Sequence, residues 1–243
     1  MGIFKIKADR FEWIGGAKDD PQDRCLHGHV TAQFGDTVIE DCGTVSATAL
    51  YLLKTLTEDK IMQSYDIQMI PCCGHFLIAN QDLTEVYISS CDNGTDWSTI
   101  HEGDCVRFIL PSGQEEVVSL REYQYEVLAF ADSVKRFYDA CTPKEIPTDA
   151  FDRNGYMAFW NEWKRRYNEG LMQLSLETGR EMELSHDGLH YFVSHKNGQW
   201  SLYCEESNEM QIFPGWKALY ENARFGEQLL PDVISDIVFD DIL

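Results

Sequence analysis

Residues 189–205 read LHYFVSHKNGQWSLYCE and carry the strongest local fold signal in the chain. Two runs rich in β-branched and aromatic residues, 189–195 and 200–205, flank the dipeptide Asn197-Gly198. Asn-Gly favours the tight turn of a two-residue β-hairpin, because both residues tolerate a positive φ angle. The stretch therefore predicts two antiparallel strands.

The same kind of signal recurs in the first half of the chain. Val30, Ala32 and Phe34 alternate with other side chains ahead of a Gly-Asp turn, which predicts a hairpin over 29–40. Two more hairpins are predicted, over 75–90 and 105–120.

Helical patterns lie between and after these hairpins. Leucines with helical spacing follow Ser46, and the capping box that starts at Ser119 opens a long helix with one apolar face. Three more helices are predicted over 156–168, 216–222 and 231–239. The sequence therefore predicts an α+β fold of antiparallel hairpins and a few packed helices, in two subdomains.

The segment 141–149 interrupts this order. It contains Pro143 and Pro147, and proline both stops a helix and stiffens a linker. We therefore predict a hairpin-rich α+β domain at 1–140, a linker at 141–149, and a smaller α+β domain at 150–243 that holds the Asn-Gly hairpin and the C-terminal helices.

The chain is strongly acidic. Its 243 residues include 20 Lys and Arg against 41 Asp and Glu, for a formal net charge of −21. Nucleic acids and anionic membranes are disfavoured as partners, because both bind through positive charge. An acidic surface instead speeds encounter with basic proteins, although acidity can also serve solubility alone.

The carboxylates predicted to contact a basic partner lie in the C-terminal half. On a helix over 231–239, aspartates spaced by four residues would form one acidic ridge, and a second group follows the Asn-Gly hairpin. The predicted partner-binding residues are Asp232, Asp236, Asp240, Asp241, Glu205 and Glu206. An ordinary solvated surface is the alternative interpretation.

Cysteine and histidine are concentrated in two short segments. Residues 25–29 read CLHGH and residues 71–75 read PCCGH, and thiols with imidazoles are typical zinc ligands. The candidate metal ligands are Cys25, His27, His29, Cys72, Cys73 and His75. The same residues could supply a thiol nucleophile and its base, or they could be ordinary core and surface side chains.

Common catalytic motifs are missing from the sequence. It contains no phosphate loop, no G-x-G-x-x-G, no G-x-S-x-G and no H-E-x-x-H. The start of the chain has no apolar leader region, and no apolar run approaches the roughly 18 residues of a membrane span. We therefore expect a cytoplasmic protein without a membrane partner.

Three segments carry a resemblance. The runs CGHFLIAN at 73–80, VYIS at 86–89 and NGTDWS at 93–98 resemble uncharacterised acidic proteins of gut Gram-positive bacteria. In size, acidity and scarcity of motifs, the chain is also similar in type to immunity proteins of bacterial polymorphic-toxin systems. That likeness implies a protein that binds and blocks a toxin domain, and it assigns no site residues.

Two hypotheses follow. The first is a non-enzymatic binding protein, without cofactor, that neutralises a basic protein such as a toxin domain. The alternative is a metal- or thiol-dependent enzyme that uses the Cys and His residues at 25–29 and 72–75, with zinc as its cofactor.

Overall fold

A computed structural model describes residues 3–14, 19–62, 67–74 and 76–243. Its internal contacts divide the chain into two compact units, Met1–Trp163 and Lys164–Leu243. The division falls inside the longest helix, α3 (Ala150–Glu177).

The first unit contains three antiparallel sheets, with strand orders β1-β2-β3, β4-β5 and β6-β7-β8. Its elements before α3 are β1 (Phe4–Trp13), β2 (Leu26–Phe34), β3 (Thr37–Thr44), α1 (Val45–Lys54), β4 (Phe76–Ala79), β5 (Val86–Ser89), β6 (Ser98–Glu102), β7 (Cys105–Ile109), β8 (Glu115–Ser119) and α2 (Leu120–Ala140).

Aromatic side chains fill the core of this unit. Phe34 projects inward from β2 and meets the ring of Trp97 with centroids 5.2 Å apart. Phe108 of β7 stacks on Phe4 at 4.9 Å and packs edge-on against Tyr123 of α2 at 5.5 Å. Alternation along each strand places these rings on the inner faces, and helical spacing does the same for α2.

The predicted capping box at the start of α2 is confirmed. Ser119 Oγ accepts a hydrogen bond from the Glu122 backbone N–H at 3.2 Å and donates one to Glu122 Oε2 at 2.8 Å. The serine thereby satisfies one of the backbone donors that a helix leaves free in its first turn.

The second unit contains a five-stranded antiparallel sheet with strand order β12-β11-β10-β9-β15. After α3 its elements are β9 (Met182–His186), β10 (Leu189–Lys196), β11 (Gln199–Cys204), β12 (Glu209–Phe213), α4 (Trp216–Asn222), β13 (Arg224–Phe225), β14 (Gln228–Leu229), α5 (Leu230–Val233), a 3-10 turn (Ile234–Asp236) and β15 (Val238–Ile242).

The predicted Asn-Gly hairpin joins β10 to β11. Asn197 and Gly198 have φ angles of 53° and 78°, and the flanking pair Lys196 and Gln199 closes the turn. One face of the resulting sheet is buried: Tyr191, Val193 and other inward side chains pack against Leu219 of α4 and the segment around α5.

Of the helix predicted over 231–239, the part up to Asp236 is helical, as α5 and the 3-10 turn, and the part over 237–239 is wrong. The chain leaves helical geometry after Asp236 and enters β15, where Phe239 and Ile242 pack on the sheet core. Buried Asn168 fixes the change of direction by donating to the carbonyls of Ile234 and Ile237 at 2.8 and 2.9 Å. Strand pairing with β9 therefore overrides the local helical pattern.

The predicted α+β class is confirmed in the described residues. The segment 141–149 connects α2 to α3 and belongs to the first unit. Its assignment as a boundary between independently folding domains stays a prediction. Among the described residues, no helix has the length and apolarity needed to cross a membrane.

Candidate functional site

The outer face of the five-stranded sheet is the most distinctive surface of the second unit. Strand burial alternates along β9, β10 and β11, so that one set of side chains faces the core and the other faces outward. The strand register places the outward residues in rows across the sheet: Glu183, Phe192, Tyr203 and Met210 lie in one row, with Ser194, Ser201 and Ile212 in the next.

Apolar side chains occupy one side of this face. Met210 and Ile212 of β12 are 60% and 62% exposed, and half-buried Tyr203 and Phe192 continue the surface toward the sheet centre. The rings of Phe192 and Tyr203 lie 6.3 Å apart between centroids. Large apolar side chains in such a continuous arrangement mark interaction surfaces more often than scattered ones do.

Carboxylates occupy the other side. Glu183 of β9 pairs with Asp241 of β15, and a bulge in β15 brings Asp240 to Ser185, whose hydroxyl donates to it. Among the outward positions of the five strands, all of which are described, Lys196 at the end of β10 is the one Lys or Arg. Residues 181–243 as a whole hold twelve Asp and Glu against three Lys and Arg.

Hydrogen bonds to His190 hold two further acidic residues beside this face. The Nδ1 atom of His190 lies 2.7 Å from Glu206 Oε1, its backbone N–H donates to Glu206 Oε2 at 2.9 Å, and its carbonyl accepts from the Glu205 N–H at 3.0 Å. The hydrogen bond that the His190 ring donates to Glu206 raises the pKa of His190, and the charges of Glu206, Glu205 and Asp240 add to that rise. The same contact lowers the pKa of Glu206 to about 2.

The structure gathers four of the six predicted partner-binding carboxylates around this sheet. Glu205 and Glu206 lie beside His190, while Asp240 and Asp241 lie on β15. The other two, Asp232 and Asp236, do not lie on the outer face.

Asp232 and Asp236 belong to the segment that covers the inner face of the sheet. Asp232 is exposed on α5, and Asp236 lies in the 3-10 turn, 3.7 Å from Lys164. The single acidic ridge predicted for residues 232, 236 and 240 is therefore wrong, since no one helix contains them.

The residues at 25–29 do not assemble into the expected ligand set. Cys25 is buried, its thiol lies 3.6 Å from Thr44 Oγ1, and burial raises its pKa to about 12. His27 uses both ring nitrogens nearby: Nδ1 lies 2.9 Å from the Cys25 carbonyl and Nε2 lies 3.3 Å from Thr44 Oγ1. A thiol with so high a pKa is a poor nucleophile or metal ligand.

His29 lies between carboxylates of the two neighbouring strands. Its Nδ1 lies 3.3 Å from Asp9 and its Nε2 lies 4.0 Å from Glu40. Cys25, His27 and His29 thus belong to none of the groups of three His, Cys, Asp or Glu found among the described residues with ligand atoms within 4.8 Å of one another. His75, the remaining histidine of the prediction, lies outside the described residues.

Cys72 and Cys73 do lie together, and their third partner is Cys91. The three sulfur atoms are all within 4.8 Å of one another, and the Sγ atoms of Cys73 and Cys91 are 3.5 Å apart. Sequence spacing could not reveal this partner, because 18 residues separate Cys91 from Cys73.

Comparisons of the chain with protein-family models, with curated proteins and with solved structures find no match.

Proposed function

We propose that this chain is a non-enzymatic binding protein that captures and neutralises a basic protein, as immunity proteins do with toxin domains. The observation that carries the proposal is the outer face of the five-stranded sheet. It joins exposed Met210 and Ile212 to a border of carboxylates, and Lys196 at the hairpin end of β10 is the one Lys or Arg at its outward strand positions.

The two halves of this face suit different parts of an interface. Apolar and aromatic side chains that lose water on contact supply most of the binding energy, and Tyr203 and Phe192 are of the type that dominates such centres. Carboxylates at the border attract a basic partner before contact and reject acidic ones. Fast capture is what an inhibitor needs when it must act before its target does.

A capture experiment with matched variants tests the proposal. The face variant Glu183→Lys/Asp241→Lys and the control variant Glu221→Lys/Glu227→Lys change the net charge equally. Glu221 and Glu227 are exposed but lie outside the five strands, at the end of α4 and beside β14. Each protein is used as bait in extracts of the cells that produce it, at low and at moderate salt.

We expect the wild type and the control variant to retain the same basic protein, and the face variant to lose it. Moderate salt should reduce recovery, because screening shortens the reach of surface charges from about 10 Å at 0.1 M to about 3 Å at 1 M. The proposal fails if no basic protein is retained at either salt, or if all three baits retain it equally.

A further inference from the structure

Two loops of the first unit are fixed against each other by backbone hydrogen bonds. Ile70 and Thr95 exchange N–H to carbonyl bonds of 2.9 and 3.0 Å. Beside this bridge, the Met69 N–H donates to Asp96 Oδ1 at 3.0 Å, and the Gly94 N–H donates to Gln68 Oε1 at 3.1 Å. The segments 67–71 and 93–96 therefore form one rigid frame.

Glycine allows the close approach in this frame. A Cβ atom at Gly94 would lie 2.3 Å from Gln68 Oε1 and 2.4 Å from the Ile70 carbonyl oxygen, distances that no side chain tolerates. On the far side, the Thr44 N–H at the start of α1 donates to the Pro71 carbonyl at 2.8 Å. The chain that enters Cys72 is thereby anchored on both sides.

Cys72, Cys73 and Cys91 extend from the ends of this frame. All three are half-buried, so their sulfur atoms are held by the protein and still reachable from solvent. The backbone N–H of Asn93 donates a hydrogen bond to the sulfur of Cys91. A thiolate is the form of cysteine that binds metals.

We propose that Cys72, Cys73 and Cys91 form a three-thiolate site for one thiophilic d10 metal ion, Zn²⁺ or Cu⁺. Metal–sulfur bonds of about 2.3 Å place sulfur atoms about 3.8–4.0 Å apart in tetrahedral or trigonal geometry. The sulfur atoms of Cys73 and Cys91, 3.5 Å apart, are slightly closer than that, and no pair of the three is more than 4.8 Å apart, so small shifts would reach this geometry. Soft thiolate ligands select these ions over Mg²⁺ and Ca²⁺.

Binding converts the three thiols into ligands without any change of oxidation state. Three metal–sulfur bonds form, and each protonated thiol releases its proton to solvent. With Zn²⁺, water completes a tetrahedral shell, whereas Cu⁺ is satisfied by three sulfur atoms. The site lies in the first unit, so the proposal is independent of the proposed partner surface.

The test uses the full-length protein, reduced and stripped of metal under anaerobic conditions. One sample is titrated with Zn²⁺ alone and another with Cu⁺ alone. Bound metal is counted by mass spectrometry after gel filtration, and protected cysteines are mapped by alkylation. The variants are Cys73→Ser and Cys91→Ser, with Cys42→Ser and Cys105→Ser as controls, and circular dichroism confirms that each is folded.

We expect one equivalent of at least one ion per chain, with Cys72, Cys73 and Cys91 protected from alkylation. The Cys73→Ser and Cys91→Ser variants should bind the ion at least about 100-fold more weakly. Mutation of a group that only hydrogen-bonds to a metal ligand already weakens metal binding by roughly 10–100-fold. The controls should bind as the wild type does.

Three results would overturn the site. One is the absence of stoichiometric binding of either ion to the reduced protein. Another is unchanged binding in the folded Cys73→Ser and Cys91→Ser variants. The third is a Cys73–Cys91 disulfide in the protein as isolated, combined with no metal uptake after its reduction.

Discussion

His190 and Glu206 interact through an exposed contact whose pH dependence has a definite sign. The raised pKa of His190 means that its stabilising contribution is complete below the ordinary value of 6.5 and is lost as the pH rises through the folded-state pKa. The lowered pKa of Glu206 means that its contribution is present above 4.5 and is lost as the pH falls toward about 2.

An NMR titration of the imidazole signals checks this contact. We expect the pKa of His190 to lie above its ordinary value of 6.5 and the Glu206→Gln variant to bring its midpoint back down. Asp187→Asn is the control, because Asp187 lies beside His186 and is not among the causes of the His190 shift. An unchanged His190 midpoint in Glu206→Gln would show that the contact is absent in solution.

Single residues illustrate what the sequence can and cannot reveal about a site. Glu206 was identifiable by its charge and by its place after a predicted hairpin. Its partner His190 was not, because their contact depends on how the strands of the hairpin meet. Cys72 and Cys73 were visible as candidates, whereas Cys91 required the folded arrangement of two loops.

The local sequence alone specifies the turn between β10 and β11. Gly198 has a φ angle of 78°, a region in which a Cβ atom is strained, and no neighbour lies within 4 Å of an added Cβ. We expect Gly198→Ala to lower the free energy of unfolding by about 1 kcal/mol through this strain alone. Equilibrium unfolding in urea measures the change.

Gly215→Ala is the matched control for that turn. Gly215 also has space for a Cβ atom, but its φ angle of −174° is ordinary extended backbone. Its substitution should change stability by less than about 0.5 kcal/mol. Equal effects at the two glycines would argue against the turn geometry.

The first turn of α2 allows a second test of how local sequence stabilises an element. Ser119→Ala removes the hydroxyl that accepts from the Glu122 N–H, so the free energy of unfolding should fall by about 1 kcal/mol. Ser207→Ala, at an exposed serine outside the helices and strands, should change it by less than about 0.5 kcal/mol. If urea unfolding shows the same stability for both variants, the cap makes no net contribution.

Elements were predictable where local signals decide them and unpredictable where distant contacts do. The Asn-Gly hairpin, the capped helix α2 and the helix α4 over 216–222 were all foreseen from turn chemistry, capping and periodicity. The strands β12 and β15 were not, because each is a short edge strand that gains its hydrogen bonds from one neighbouring strand. Both of these strands line the candidate site.

For the molecule as a whole, net charge predicted that carboxylates bind the partner but did not locate them in the fold. A charge of −21 is a property of the sequence, whereas the pairing of Glu183 with Asp241 at one side of the sheet is a property of strand register. The apolar half of the same face was hidden from sequence analysis, since Met210 and Ile212 become neighbours of Tyr203 and Ser201 only in the folded sheet.

The most direct test of the proposed function is the rate at which the captured basic protein associates with this chain. Stopped-flow measurements at increasing ionic strength would compare the wild type, Glu183→Lys/Asp241→Lys and Glu221→Lys/Glu227→Lys. We predict that the rate constant of the wild type and of the control falls steeply with salt, and that the face variant associates at least about 10-fold more slowly at low salt. Identical rate constants and salt slopes for the two variants would contradict the account, because the carboxylates of the sheet face would then have no special role in capture.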